Sequence, residues 1–333
     1  MVEPTFTDYV DLLCNLFERF WQHHAVCAHR GHPFMYEHKA LIVFFVVMQH
    51  RRIFHFKAQR RWLKRHPETR EVFGFATVPH RSTLSRRYKA LYEVVRDFIA
   101  FLGHYGENLD PRLTSENLYT DKSLFKAQGP VWHQSDRQAG RVPEKLRHLD
   151  TDASWSKSGY HGWVYGYGLH LVDNRVGFPK LVQVETATVS EKLVIDHQAE
   201  QIIQDFAPAT VTTDNSYAQA RRIREWAKRG VVLLTPACKW TTGRYASAYH
   251  AYINQPEQRE LLQSRRTAVE PIFDLVAKAF GATGRQKPLP VQRLDNVRTC
   301  LTLATLTVQV AMIANSIWGL PLRNISTIAS AFT

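Results

Sequence analysis

A helical N-terminal region followed by a mixed α/β domain is the fold class that the sequence predicts, and three observations lead to it. Residues 1–115 place apolar side chains at helical spacing, as in Tyr9, Leu12, Leu13, Leu16, Phe17 and Phe20, with no strand-like alternation. From about residue 117, short β-rich runs alternate with helical ones, the texture of an α/β layer fold. At 333 residues, with 44% hydrophobic and 12% aromatic residues, the chain can bury one large core, or a core plus a smaller helical domain. The division expected is therefore 1–115 and 116–333.

Within the second part, residues 117–125, 163–173 and 180–187 read as three strands of an antiparallel meander. A helix follows, with Thr188 as its cap and Glu191 reaching back in a capping box, and Pro208 ends it. Residues 209–213 read as a strand, 216–229 as a helix closed by Gly230, and 231–235 as a buried strand. Three strands, helix, strand, helix, strand is the ribonuclease H-like topology, a mixed five-stranded sheet with flanking helices. The segment 122–162 is long for a hairpin and rich in His, Arg, Ser and Gly. Residues 236–258 read as a polar connection, and helices around 259–280 and 291–318 finish the chain, the last covering the sheet.

Residues 299–320 carry no formal charge and are long enough to span a bilayer. Thr299, Thr302, Thr305, Thr307, Gln309, Asn315 and Ser316 favour a buried amphipathic helix instead, with no membrane partner expected. A formal charge of +13 and a pI near 9.7 favour a polyanionic partner, nucleic acid first. The four cysteines show no dense framework, which fits a reducing compartment, and the start does not read as a signal peptide; a cytoplasmic location is expected.

Two-metal phosphoryl transfer needs carboxylates converging from distant parts of a chain, because hard divalent ions take oxygen ligands. Asp121 lies within the first candidate strand and Asp214 directly after the fourth, and in this topology those strands are neighbours. Asp150 and Asp152 are rivals for the role of Asp121, but they lie in the polar insertion. For Asp214 the alternative is a helix cap before Ser216, which does not exclude a ligand. Arg266, Glu270, Asp274 and Lys278 follow at i,i+4 spacing, as in a solvated ladder of ion pairs. Pro271 disfavours helical geometry at Glu270, so a helix starts near Val269 or kinks there.

Four stretches, TDKSLFKAQG (120–129), LRHLDTDASWSKSGYHGWVYGYGLHL (146–171), VTTDNSYAQARRIREWAKRG (211–230) and RRTAVEPIFDLVAKAFG (265–281), resemble the DDE transposases of bacterial insertion sequences. The resemblance runs from about residue 75 to the end. It implies that Asp121, Asp214 and Glu270 are the catalytic acids and hold two Mg2+ or Mn2+ ions. It further implies double-stranded DNA as partner, both transposon ends and target, and a homodimer in a synaptic complex. Part of the family carries Tyr-x2-Arg-x3-Glu-x6-Lys around its last acid. Here Arg266 and Glu270 keep the central portion, Gln263 stands where Tyr is expected, and Lys278 comes one residue late. Arg266 and Lys278 would steady phosphates. The other readings are a structure-selective nuclease without strand transfer, and a catalytically silent DNA-binding protein derived from a transposase.

For DNA binding, residues 50–66 interleave Lys and Arg with aromatics. Ser82 reads as the N-cap of a short basic helix in 77–91 that presents Arg81, Arg86, Arg87 and Lys89 in a helix-turn-helix-like reader. The alternative is a solvated basic face with Leu84, Tyr88 and Leu91 packing inward. His23, His24, Cys27, His29 and His32 match no common zinc-finger spacing. Trp155, Tyr160, His161, Trp163 and Trp240 are either stacking platforms for unpaired bases or local core.

Overall fold

The computed structural model describes residues 4–24, 35–159, 162–236 and 244–332. Cys27, His29 and His32 of the histidine cluster, and Tyr160, His161 and Trp240 among the candidate stacking aromatics, lie outside the described residues.

The first region is helical because its apolar spacing is. Helix α1 (Phe6–His23) begins with a capping box between Thr5 and Asp8 and buries Tyr9, Val10, Leu13, Leu16, Phe17 and Phe20. Helix α2 (His38–His50) is apolar all round and buried from Ala40 to His50, as a core helix must be. The basic helix α3 (Phe56–Arg65) and the short α4 (Pro67–Val72) lead to α5 (Arg81–Lys89) and α6 (Tyr92–Tyr105). The N-cap of α5 is His80, not Ser82: the Ser82 backbone N–H donates to His80 Nδ1, which leaves Ser82 inside the first turn. A ring nitrogen two residues earlier takes the role that the sequence reading gave to the hydroxyl.

The sheet is built from β1 (Asn117–Lys126), β2 (Ser154–Ser158), β3 (Gly162–Asn174), β4 (Pro179–Thr186), β5 (Thr210–Thr212) and β6 (Val232–Leu234), with the five-residue helix α7 (Gln134–Gln138) inside the long insertion. It is five strands wide and mixed. Strand β3 pairs antiparallel with β1 along one edge and with β2 and then β4 along the other, while β5 and β6 extend the sheet parallel to β1. This is the ribonuclease H-like arrangement, with β2 as a sixth short strand. Gly166 allows β3 to cross β1 closely, since a Cβ there would lie 1.9 Å from the Phe125 carbonyl oxygen.

Helix α8 (Glu191–Gln201) is capped by Ser190, not Thr188. The Thr188 hydroxyl and N–H both go to Ser154 Oγ across the sheet, which removes it from capping. A π-helical turn (Ile202–Phe206) and a left-handed Ala207 end the helix just before Pro208. After β5 comes a 3-10 turn (Asn215–Tyr217), so helix α9 (Ala220–Lys228) starts later than residue 216. The connection expected at 236–258 contains a helix, α10 (Arg244–Ile253).

Helices α11 (Pro256–Ala279) and α12 (Leu294–Ile317) complete the main body, and α13 (Ser326–Phe332) returns to α1 and α2. α12 is not amphipathic but buried on all sides from Thr299 to Asn315, packed on β4, α6, α11 and α2. It meets the length and hydropathy of a membrane span, yet it is the central core helix. Its threonines are tolerated because each hydroxyl donates to a carbonyl one turn back, as Thr302 does to Arg298 (2.8 Å) and Thr305 to Leu301 (2.9 Å). Gln309 Nε2 donates to the Ile99 and Pro179 carbonyls, which ties α12 to α6 and β4. One core runs from Tyr9 to Phe332. Lys180 of β4, fully buried, ties α6 to the sheet by donating to the Gly103 and Leu113 carbonyls and to Glu107.

Candidate active site

Strands β1 and β5 run parallel with Tyr119 level with Thr212. β5 ends at Thr212, and the register continued two residues past it brings Asp214 level with Asp121. The Asp214 Oδ1 accepts from the Ser216 N–H at 2.8 Å, so the residue does cap the turn after β5. Asp121 Oδ1 accepts from the Lys122 N–H (2.8 Å) and Oδ2 from Arg265 Nη1 (2.5 Å), with the Asp121 side chain 18% exposed. Burial pushes the Asp121 carboxyl up to about 6; Arg265 opposes that rise, and the negative charge of Asp214 adds to it.

A third carboxylate stands close by that the sequence reading did not assign to the site. Glu191, the first residue of α8, accepts a 2.6 Å hydrogen bond from Ser216 Oγ, and its other oxygen lies 3.9 Å from Lys122 Nζ. The phenol of Tyr217 is raised well above its ordinary range by burial first, then by the charges of Asp121, Glu191 and Asp214. Glu191 was visible in the sequence only as a capping residue, and nothing local to it signals the neighbouring strand ends.

Helix α11 lies over β1 and β3, pinned by the Tyr119 hydroxyl against Ser264 Oγ at 2.8 Å. At 3.6 residues per turn, Arg265 falls on the stripe of Ala268, Val269, Ile272 and Val276, which faces the sheet. Arg266 falls on the outer stripe with Glu270, and its side chain is 79% exposed. Arg265 was missed because the family signature draws attention to its neighbour; counting helix faces from the buried stripe finds it.

Pro271 neither starts nor stops the helix, which runs unbroken from Pro256 to Ala279. A proline in mid-helix leaves the carbonyl four residues back without its usual donor, here Thr267. Arg323 supplies one: Nη1 donates to the Thr267 carbonyl at 2.8 Å and Nε to the Val176 carbonyl at 2.7 Å. Glu270 is 53% exposed, 3.8 Å from Arg266 Nε and 4.0 Å from Arg265 Nη2. Arg265 lies near both it and Asp121. The ladder expected beyond it does not continue, because Asp274 pairs with Lys287 at 2.9 Å. Lys278 is exposed, eight residues past Glu270, or about 12 Å along the helix axis.

Beside these carboxylates an open cavity of about 570 Å³ is lined by Asp214, Asn215, Gln263, Arg265 and Arg266, among others. Among the described residues, no three His, Cys, Asp or Glu side chains stand as a group that could hold a metal. The donor chemistry nonetheless fits a hard divalent ion: two carboxylates level with each other, with Asp121 already bound to a cationic group. The rivals of Asp121 have other work. Asp150 is fully buried and accepts from the Tyr167 hydroxyl (2.9 Å) and the Arg293 N–H (3.0 Å), and Asp152 accepts from the Leu294 N–H (3.0 Å) at the start of α12.

On α5, Arg81, Ser82, Arg86 and Lys89 are exposed, whereas Arg87 is buried with Leu84 and Tyr88. The helix packs against α3, with Phe56 edge-on to Tyr88. Trp163 is 59% exposed on β3, with Lys157 Nζ over its ring at 5.8 Å.

A family model described as Transposase DDE domain matches residues 120–286, a span that includes Asp121, Asp214 and Glu270. No curated protein and no solved structure matches the chain.

Proposed function

The chain belongs to the transposase DDE domain family, and from that premise we propose that it cuts the ends of a mobile DNA element and joins them to target DNA. Asp121, Asp214 and Glu270 are the carboxylates proposed to hold two Mg2+ or Mn2+ ions. The observation that carries the reading is that Asp121 on β1 and Asp214 just past the neighbouring parallel β5 lie close enough for the charge of Asp214 to raise the pKa of Asp121. Bound divalent ions would supply activation of the attacking oxygen and charge neutralisation at the scissile phosphate.

The chain's own residues give the rest. Asp121 is fixed by the Lys122 N–H, and Asp214 by the Ser216 N–H, so both carboxylates are held before DNA arrives. Arg266 at the mouth of the cavity, and Lys278 further along α11, would bind backbone phosphates. The exposed Arg81, Ser82, Arg86 and Lys89 of α5 would hold the duplex farther from the reacting bond, contacts that set affinity and register rather than sequence choice. Two ends must be brought together, so the working unit proposed is a homodimer.

The test uses purified protein, Mg2+ and a duplex carrying the element's end repeats. The wild type should nick it, and Asp121→Ala, Asp214→Ala and Glu270→Ala should each lose at least about a hundredfold, as losing a charge-stabilising group does. Undiminished cleavage by any one of them removes that residue from the set. A pre-cleaved end separates a transposase, which joins it to a second duplex, from a nuclease, which does not.

A further inference from the structure

We infer that Arg265 is the resident counter-ion of this carboxylate site, holding Asp121 and facing Glu270 until a divalent cation displaces it. The inference rests on the reading of Asp121, Asp214 and Glu270 as metal-holding groups. Three features of the geometry support it.

Arg265 sits inside, not on the surface. Its side chain is 13% exposed, against 79% for Arg266 next to it, and α11 turns it onto the face that meets β1. One planar fork serves two acids: Nη1 lies 2.5 Å from Asp121 Oδ2, and Nη2 lies 4.0 Å from Glu270 Oε1. A guanidinium so placed lies between the first and third acids, and it takes the oxygen that a metal would need from Asp121. Glu270 cannot close on Asp121 while the fork stands between them.

The third feature is an exit. Arg265 lines the cavity that also contains Asp214, Gln263 and Arg266, so its side chain can swing out without unfolding α11. The move exchanges one positive charge for two at the carboxylates, which favours a divalent ion over a monovalent one. It also delivers the freed guanidinium to the place where DNA phosphates would enter, and a phosphate accepts the same two-pronged hydrogen bonding as a carboxylate. Arg265 is thus a positioning residue that keeps Asp121 paired in the resting protein and faces the half-exposed Glu270. Arg266, already exposed, faces Glu270 at 3.8 Å from the outer side of α11.

The experiment measures Mn2+ binding to the full chain by the loss of the free-ion electron paramagnetic resonance signal, without DNA. Arg265→Gln should bind Mn2+ about tenfold more tightly than wild type, the factor that about 1.4 kcal/mol makes, and Arg265→Lys should fall between. Asp121→Asn should lose binding. Thermal unfolding supplies a second readout: without metal Arg265→Gln should melt below wild type, and Mn2+ should raise its melting temperature by more than it raises that of wild type. Should Arg265→Gln not fold, Arg265→Lys carries the same comparison. Unchanged or weaker Mn2+ binding in the Arg265 variants, with binding still lost in Asp121→Asn, overturns the counter-ion and leaves the metal site standing. Equal binding by wild type and Asp121→Asn overturns the metal reading itself.

Discussion

Replacing Arg323 by Met should destabilise the protein by about 2–4 kcal/mol, because the side chain compensates for a proline in the helix that carries the proposed site. Two short charge-assisted hydrogen bonds are lost, from Nε to the Val176 carbonyl (2.7 Å) and from Nη1 to the Thr267 carbonyl (2.8 Å), with a longer one from Nη2 to the Ala268 carbonyl (3.5 Å). Each is worth about 1.5–3 kcal/mol when fully buried, and partial solvent access at Arg323 lowers the sum. The Thr267 carbonyl is the one that Pro271 deprives of its helical donor. Asp173, fully buried, also loses the positive charge that opposes the burial-driven rise of its pKa. The assay is urea unfolding of wild type, Arg323→Met, Pro271→Ala and the double variant. The Pro271→Ala substitution restores a backbone N–H to face the Thr267 carbonyl, so the Arg323 substitution should cost about 1 kcal/mol less in that background. A cost below about 1 kcal/mol, or the same cost in both backgrounds, refutes the reasoning.

Three further outcomes follow from the same structure. His170 is held down to about 3 by burial, with Lys122 adding, and its Nε2 has no hydrogen-bond partner among the described residues. The unfolded chain therefore binds a proton between pH 6.5 and 3 that the native state refuses; stability should fall as pH drops through 6.5, by about 2 kcal/mol from this residue at pH 5, and His170→Gln should flatten that fall in urea titrations. Arg86→Ala and Lys89→Ala should each weaken DNA binding across unrelated sequences and lower the salt slope by about one unit, and an unaltered slope would remove α5 from the interface. Asp150→Ala strands the Tyr167 hydroxyl and the Arg293 N–H, so a loss of about 2–4 kcal/mol of stability is expected with unchanged Mn2+ affinity; altered affinity would bring Asp150 back as a ligand.

Strands β3, β4, β5 and β6 were legible from their apolar and β-branched content, and β1 from Leu118, Tyr119, Leu124 and Phe125 on either side of its polar centre. Strand β2 was not: SWSKS is mostly polar and half-buried, since it pairs at the edge of the sheet. The caps at Ser82 and Thr188 were misplaced because another acceptor lay two residues away and tertiary contacts decided between them. The α12 threonines looked like a polar face, whereas their bonds to the preceding turn make them compatible with burial on every side. Asp121 and Asp214 could be paired from topology alone, because β1 and β5 are neighbours in that strand order. Arg265, Glu191 and Arg323 could not be read from a motif. Each acts on a residue far away in sequence, and only the packing of α8, α11 and the C-terminal segment brings them into place.

The most direct test of the central claim is end cleavage by Asp121→Cys and Asp214→Cys, measured in parallel in Mg2+ and in Mn2+. A thiolate is a poor ligand for Mg2+ and a better one for Mn2+. If these two side chains bind the metal, both variants should be inactive in Mg2+ and regain cleavage in Mn2+. Full activity of either variant in Mg2+ would contradict the account.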